Sequence, residues 1–226
     1  MNRRIANAIR NLLDDGLPPV LRESLPVKWL VRLWLGSNSL VDFKYRAFKM
    51  TDREFSDAYR RLAGAYVSRT SDTTDEQMAW LLAQASGSKS VLEIGPGRRR
   101  LTGKLQAKGH QVFTLDLDSS GTEPGSVVAT AERLPFAQKS VDVVILSHVI
   151  EHVRSLSVTF LELERVAREK VLIVTPKQRF SRVSFDYHLH FFYSLDHLAS
   201  HFHSGTATGG VVDGDLCLAW RPDRAP

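Results

Sequence analysis

Val91-Leu92-Glu93-Ile94-Gly95-Pro96-Gly97 is the stretch whose reading decides the fold. A short apolar strand runs straight into a turn with two glycines, the residue that lets a backbone bend sharply and pass close to a ligand. Outward from it, a helix-like stretch reaches Gly109, and Val112-Phe113-Thr114-Leu115-Asp116 is a second strand. Val127-Val128-Ala129 reads as a third strand, Val141 to Leu146 as a fourth and Lys170 to Thr175 as a fifth, with a helical segment from Ser157 to Arg168 between the last two. Apolar strands alternating with helices predict an α/β fold, a parallel sheet with helices on both faces. The ligand of such a sheet is expected at the carboxyl ends of the central strands.

The 226 residues, 43% hydrophobic and 24% charged, with 14 glycines, 9 prolines and a single cysteine, exclude disordered, collagen-like and disulfide-scaffold chains. Cys217 can close no intramolecular disulfide, which fits a reducing compartment. Met1 to Leu13 carries Arg3, Arg4 and Arg10 but no continuous apolar run, which argues against a secretory signal. Val27 to Leu35, interrupted by Lys28 and Arg32, is far too short to cross a bilayer.

The net charge of +5 is unevenly placed, because residues 1–70 hold 13 Lys and Arg against 7 Asp and Glu. This basic region reads as a series of helices. Thr51 with Glu54 and Thr74 with Gln77 have the spacing of capping boxes; Phe55, Tyr59, Leu62 and Tyr66 form the apolar face of one helix, and Met78, Leu81 and Leu82 that of the next. Trp29 and Trp34 beside Arg22, Lys28 and Arg32 have two readings, a patch that touches membrane or a lipid-like acceptor, or a cover for the domain that follows.

The glycine turn does not by itself choose a cofactor. The dinucleotide fingerprint places a third glycine where Arg100 stands, which argues against a dehydrogenase, and Asp116 suits the ribose diol of a dinucleotide or of an adenosine cofactor alike. Two further stretches make the choice. Ala131-Glu132-Arg133-Leu134-Pro135-Phe136 is followed by Val141-Asp142-Val143-Val144-Ile145-Leu146-Ser147-His148-Val149-Ile150-Glu151-His152-Val153. With the Glu93–Gly97 turn and Asp116 at these intervals, the chain resembles class I S-adenosylmethionine-dependent methyltransferases, in the type 11-like small-molecule branch of quinone, lipid and sugar O-methyltransferases.

The resemblance covers about Ser88 to Phe202 and implies a Rossmann-like, seven-stranded, mostly parallel sheet sandwiched by helices, its last strands near Thr206 to Val212 and Leu216 to Trp220. Residues 88–226 would form the cofactor-binding domain and residues 1–87 a helical N-terminal extension. The resemblance also implies roles. Glu93, Gly95, Pro96 and Gly97 would hold the methionine end of S-adenosylmethionine, Asp116 with Leu117 the ribose, and Ala131 and Glu132 the adenine, while Ser147 and His148 would face the sulfonium and the acceptor. Two positions depart from the pattern: the third glycine of the first loop falls at Arg99, and the acidic residue before the Ala-Glu pair is Thr130.

Methyl transfer to oxygen needs an aligned acceptor and a way to remove its proton, by a base or by a metal. His148, Glu151 and His152 lie three and four residues apart, one face of a helix, and offer both. The His-x-x-Glu-His spacing also matches an inverted zinc-protease motif, but here it follows a buried strand in a methyltransferase-like sequence. The closer likeness is to the Glu-x-x-Glu-His stretch of ubiquinone-type O-methyltransferases, which binds a divalent cation. By that likeness Glu151, His152 and His148 would hold Mg2+ or another divalent ion; otherwise Glu151 and His152 cap and orient the helix. In Asp186-Tyr187-His188-Leu189-His190-Phe191-Phe192, His188 and His190 are further candidates for the base, or for a metal partner of Glu151, against a purely packing role. Arg98-Arg99-Arg100 is either an anion site or a solvated face.

The sequence is therefore expected to be a cytoplasmic enzyme, peripheral at the membrane if the extension touches lipid, that methylates a hydroxyl on a small-molecule, glycan or lipid-linked acceptor. The alternatives are a noncatalytic binding or scaffold protein of the same fold and a methyltransferase for protein or RNA. The absence of an Asn/Asp-Pro-Pro-aromatic motif argues against nucleic-acid bases as acceptors.

Overall fold

The computed structural model describes residues 18–22, 24, 26, 46–58, 73–117, 124–180 and 188–223. The expectations for Met1 to Leu13, for Trp29 and Trp34, for Tyr59, Leu62 and Tyr66, and for Asp186 and Tyr187 lie outside those residues.

Seven strands form one sheet: β1 (Ser90–Ile94), β2 (Gln111–Asp116), β3 (Ser126–Val128), β4 (Val141–Ser147), β5 (Ala167–Pro176), β6 (Thr206–Val212) and β7 (Asp215–Arg221). Their order is β3-β2-β1-β4-β5-β7-β6, parallel throughout β1 to β5, with β7 antiparallel to both β5 and β6. This is the Rossmann-like architecture that the resemblance implies, including its last two strands. Two helices, α1 (Asp75–Ala85) and α2 (Arg100–Ala107), cover one face. On the other lie α3 (Leu156–Val166) and the short α4 (Leu195–Ala199).

Strand alternation sorts the core into two layers. Val91, Val143, Ile145, Leu172 and Val174 pack with Met78 and Leu81 of α1 and with Leu101 and Leu105 of α2. Leu92, Ile94, Val144, Leu146, Val171 and Ile173 pack with Phe160 and Leu163 of α3 and with Leu198 of α4. Burial on both faces is why these strands read as unbroken apolar runs. Because β7 runs against β5, Asp215 stands opposite Pro176, so the start of β7 lies at the carboxyl end of the parallel strands.

The capping boxes form as expected. Thr51 N–H donates to Glu54 Oε2 at 2.8 Å ahead of a helical turn over 52–58, and Thr74 N–H donates to Gln77 Oε1 at 3.0 Å at the start of α1. No helix among the described residues is long and apolar enough to cross a membrane.

Candidate functional site

The strand order reverses between β1 and β4, and ligands of open α/β sheets bind in the crevice outside that point. β1 delivers Gly95 there. Its φ is +68°, its N–H donates to the Leu115 carbonyl at 2.8 Å, and a Cβ on it would come within 2.5 Å of Val149 Cγ2. Gly97 has φ +50°, and a Cβ on it would meet nothing within 4 Å. The turn is thus closed against the protein at Gly95 and leaves room beside its backbone at Gly97, as a ligand lying along it requires.

Arg99, where the family pattern has a third glycine, adopts a left-handed φ of 57° as a glycine would. Its guanidinium donates to Ser126 Oγ at 2.9 Å and to Thr114 Oγ1 at 3.3 Å, fastening the turn to β2 and β3. Arg100 pairs with Asp75 at 3.1 Å. Glu93 is buried in β1 and accepts a short hydrogen bond from Thr102 Oγ1 of α2. Burial pushes its carboxyl up to about 7, although that hydrogen bond and the Arg99 charge act in the opposite direction.

Asp116 ends β2, and Leu117 after it packs on a small cluster of Ala47, Phe55 and Leu189. Ala131 is buried, and the backbone that follows it is held from α3. Leu134 N–H donates to Glu162 Oε2 at 2.7 Å, while Arg165 Nη1 and Nη2 donate to the carbonyls of Phe136 and Leu134 at 2.6 and 2.8 Å. Glu132 Oε1 accepts the Arg154 N–H at 2.8 Å, which ties this loop to the segment after β4.

β4 delivers Ser147 and His148. Ser147 Oγ lies 2.7 Å from Thr73 Oγ1. His148 has φ +56°, and its backbone N–H continues the ladder to the Val174 carbonyl at 2.8 Å. Its imidazole stands between two buried carboxylates, Nδ1 3.5 Å from Glu151 Oε1 and Nε2 3.6 Å from Asp215 Oδ2. Glu151 Oε2 accepts from Thr175 Oγ1 at 3.1 Å. Burial alone would push the Glu151 carboxyl up, but the His148 contact and the charges of His152, His148 and His188 together hold it down at about 2.

The segment after β4 is a 3₁₀ turn, Ile150–His152. His148 lies outside that turn with a left-handed φ of 56°, so the i, i+4 relation of a continuous helix between His148 and His152 does not form, while Glu151 stays beside His148. The His152 ring meets His188 edge to face at 4.9 Å. Glu151, His152 and His188 each present a ligand atom within 4.8 Å of the others. Sequence spacing groups Glu151 and His152 with His148; in the fold Glu151 keeps His148 beside it and also joins His152 and His188. Gln178 Oε1, 2.7 Å from His188 Nδ1, accepts the N–H there and leaves the Nε2 lone pair for the cluster. His190 Nε2 donates to the Val153 carbonyl at 2.9 Å, and its ring meets Phe48 edge to face.

Two residues that sequence reasoning does not place at the site complete this end of the sheet. Asp215 opens β7, and Gln77 of α1 donates to its Oδ2 at 2.8 Å. A polar residue beside Met78 and Leu81 was the available signal for Gln77, and a charge at the head of an apolar strand was the signal for Asp215.

Residues 92–175 match the family model described as a methyltransferase domain. Over that span the chain is similar to methyltransferase domains. No curated protein matches the sequence. Among solved structures, it is similar to the Burkholderia thailandensis 1,6-didemethyltoxoflavin-N1-methyltransferase with bound 1,6-didemethyltoxoflavin and S-adenosylhomocysteine, at 17% identity and a TM-score of 0.59, over 79% of this chain and 88% of that one. The Haloferax volcanii protein in complex with the Trm112 methyltransferase activator is similar at 14% identity and a TM-score of 0.57, over 78% of this chain and 100% of that one. A SAM-dependent methyltransferase from Aquifex aeolicus is similar at 13% identity and a TM-score of 0.52, over 74% and 96%. At these identities the likeness establishes the fold.

Proposed function

We propose that this methyltransferase domain transfers the methyl group of S-adenosylmethionine to a hydroxyl of a small-molecule, glycan or lipid-linked acceptor. One observation supports the reading above others: adjacent strands β1 and β4 bring together a glycine turn with room beside its backbone and a histidine set between two buried carboxylates. The Glu93–Gly97 turn, Asp116 with Leu117, and Ala131 with Glu132 would hold the cofactor. When bound, S-adenosylmethionine supplies an electrophilic methyl group on a positively charged sulfur. The part left to the chain is to align the acceptor oxygen and remove its proton. We assign the proton to His148. A neutral imidazole that takes it becomes a cation between the Glu151 and Asp215 carboxylates, which stabilise that state, while the acceptor oxygen keeps the electron pair with which it attacks.

A second reading of the proton step is favoured by the Glu151, His152 and His188 grouping. Two imidazoles and one carboxylate suit zinc or a divalent transition metal better than Mg2+, and an ion held there would lower the acceptor's own pKa. The basic extension would then serve the approach of a lipid-like or anionic acceptor. Calorimetry with S-adenosylhomocysteine and label transfer from methyl-labelled cofactor into small-molecule and lipid extracts test the whole proposal. Binding with label on a hydroxyl is expected; label on nitrogen, or no binding, would overturn it. A chelator that leaves transfer intact, with no metal in the purified protein, would remove the second reading.

A further inference from the structure

We propose that Asp215 and Gln77 are positioning residues that set the orientation of the His148 imidazole, with α1 as their anchor. This rests on the role assigned to His148 above. Both residues lie outside the matched span of residues 92–175, and nothing in the methyltransferase pattern points to them.

Gln77 is fully buried on the face of α1 that packs on the sheet. Its amide has two donors and one acceptor, and all are engaged. Nε2 donates to Asp215 Oδ2 at 2.8 Å and to the Val212 carbonyl at 3.1 Å, and Oε1 accepts the Thr74 N–H at 3.0 Å. An amide so satisfied has one orientation, and it fixes the Asp215 carboxylate in turn. Asp215 is buried as well, and its Oδ2 is the atom 3.6 Å from His148 Nε2. From the opposite side, Glu151 stands 3.5 Å from His148 Nδ1. The ring is therefore flanked at both nitrogens by groups from elements far apart in the chain. His148 also keeps a left-handed φ of 56°, a conformation that is unfavourable for a non-glycine residue and persists where the surroundings over-determine it.

A fastening of α1 to β7 explains the Val212 contact, and it would need only an acceptor on residue 215. It would not need a charge. Asp215→Asn separates the two roles, since its side-chain carbonyl still accepts from Gln77 at unchanged size while the charge facing His148 is gone. The expected result is a melting temperature within a few degrees of the parent, affinity for S-adenosylhomocysteine within about twofold, and label transfer to extract slowed by about tenfold or more, because base orientation and charge act on the reacting state. Asp215→Glu, which restores the charge, is expected to recover part of the rate. Independently of any acceptor, the Nε2 resonance of His148 in the nitrogen-15-labelled protein with S-adenosylhomocysteine is expected to shift in Asp215→Asn. A rate equal to the parent's, a loss of cofactor affinity parallel to the loss of rate, or an unmoved His148 resonance would overturn the proposal. If the parent itself transfers no label, the assigned function fails and the resonance alone decides the positioning.

Discussion

Glu93 holds a carboxyl where β1 and α2 exclude water, and the consequence is a pH dependence with a defined sign. Its ordinary value of 4.5 rises to about 7 in the folded chain, chiefly through burial. Between those values the folded protein keeps a proton that the unfolded chain has released, so stability falls as pH rises through the window and levels off above it. At roughly 1.4 kcal/mol per unit, the full loss is about 3 kcal/mol. Denaturant unfolding from pH 4 to 8 checks this, and Glu93→Gln, which still accepts from Thr102, is expected to flatten that part of the profile and to be the more stable form above pH 7. A slope of the opposite sign, or a Gln variant with the parent's profile, would show that Glu93 is not its source. At this scale the glycine turn after β1 and the place of Asp116 at the end of β2 were legible because their residue types and spacing are local. Asp215 was not, because its partner Gln77 lies 138 residues away and only the sheet's antiparallel end brings it to His148.

The strands were the most legible elements, since a parallel strand buried on both faces leaves an apolar run that needs no partner to be recognised. The segment after β4 was less so. A helical reading of His148 to His152 places all three polar side chains on one face, whereas His148 keeps a left-handed φ ahead of a 3₁₀ turn that begins only at Ile150, so no continuous helix forms and His152 meets His188 instead. The strand-to-turn junction at β1 yields a contrast between its two glycines. Gly95→Ala must hold φ +68° and also displace Val149, so a loss of about 2–4 kcal/mol in unfolding free energy is expected. Gly97→Ala meets no atom within 4 Å and carries only the backbone cost, about 1 kcal/mol. Under the proposed cofactor site, Gly97→Ala should nevertheless weaken S-adenosylhomocysteine binding, because its methyl enters the space left beside the turn. Equal stability losses for the two variants would show that the Val149 contact does not distinguish them.

On the scale of the whole molecule, the basic N-terminal region and the sheet are joined through residues 46–58, and one side chain carries much of that joint. Arg154 Nη1 donates to the Met50 carbonyl at 2.8 Å, the same guanidinium pairs with Asp52, and it lies 5.2 Å from the centre of the Phe55 ring. Phe55 and Ala47 are buried against Leu189, with Leu117 packed alongside, so the segment bridges the connections that follow β2 and β5 on either side of the crevice. None of this was legible in the sequence, where Arg154 is one arginine among many and its partners lie about a hundred residues upstream. Arg154→Ala removes the side-chain contacts but keeps the backbone N–H that Glu132 accepts, so the loop after β3 retains its tie. The ion pair with Asp52 is partly exposed and contributes little by itself, while the carbonyl contact and the ring contact together are worth about 2 kcal/mol. Amide hydrogen exchange over residues 46–58 is accordingly expected to speed up by about tenfold or more, while exchange in β1 and β4 stays at the parent's rate. Acceleration spread evenly over the sheet would mean that Arg154 supports the fold as a whole, and unchanged exchange would mean that the apolar contacts of Phe55 and Ala47 hold the segment without it.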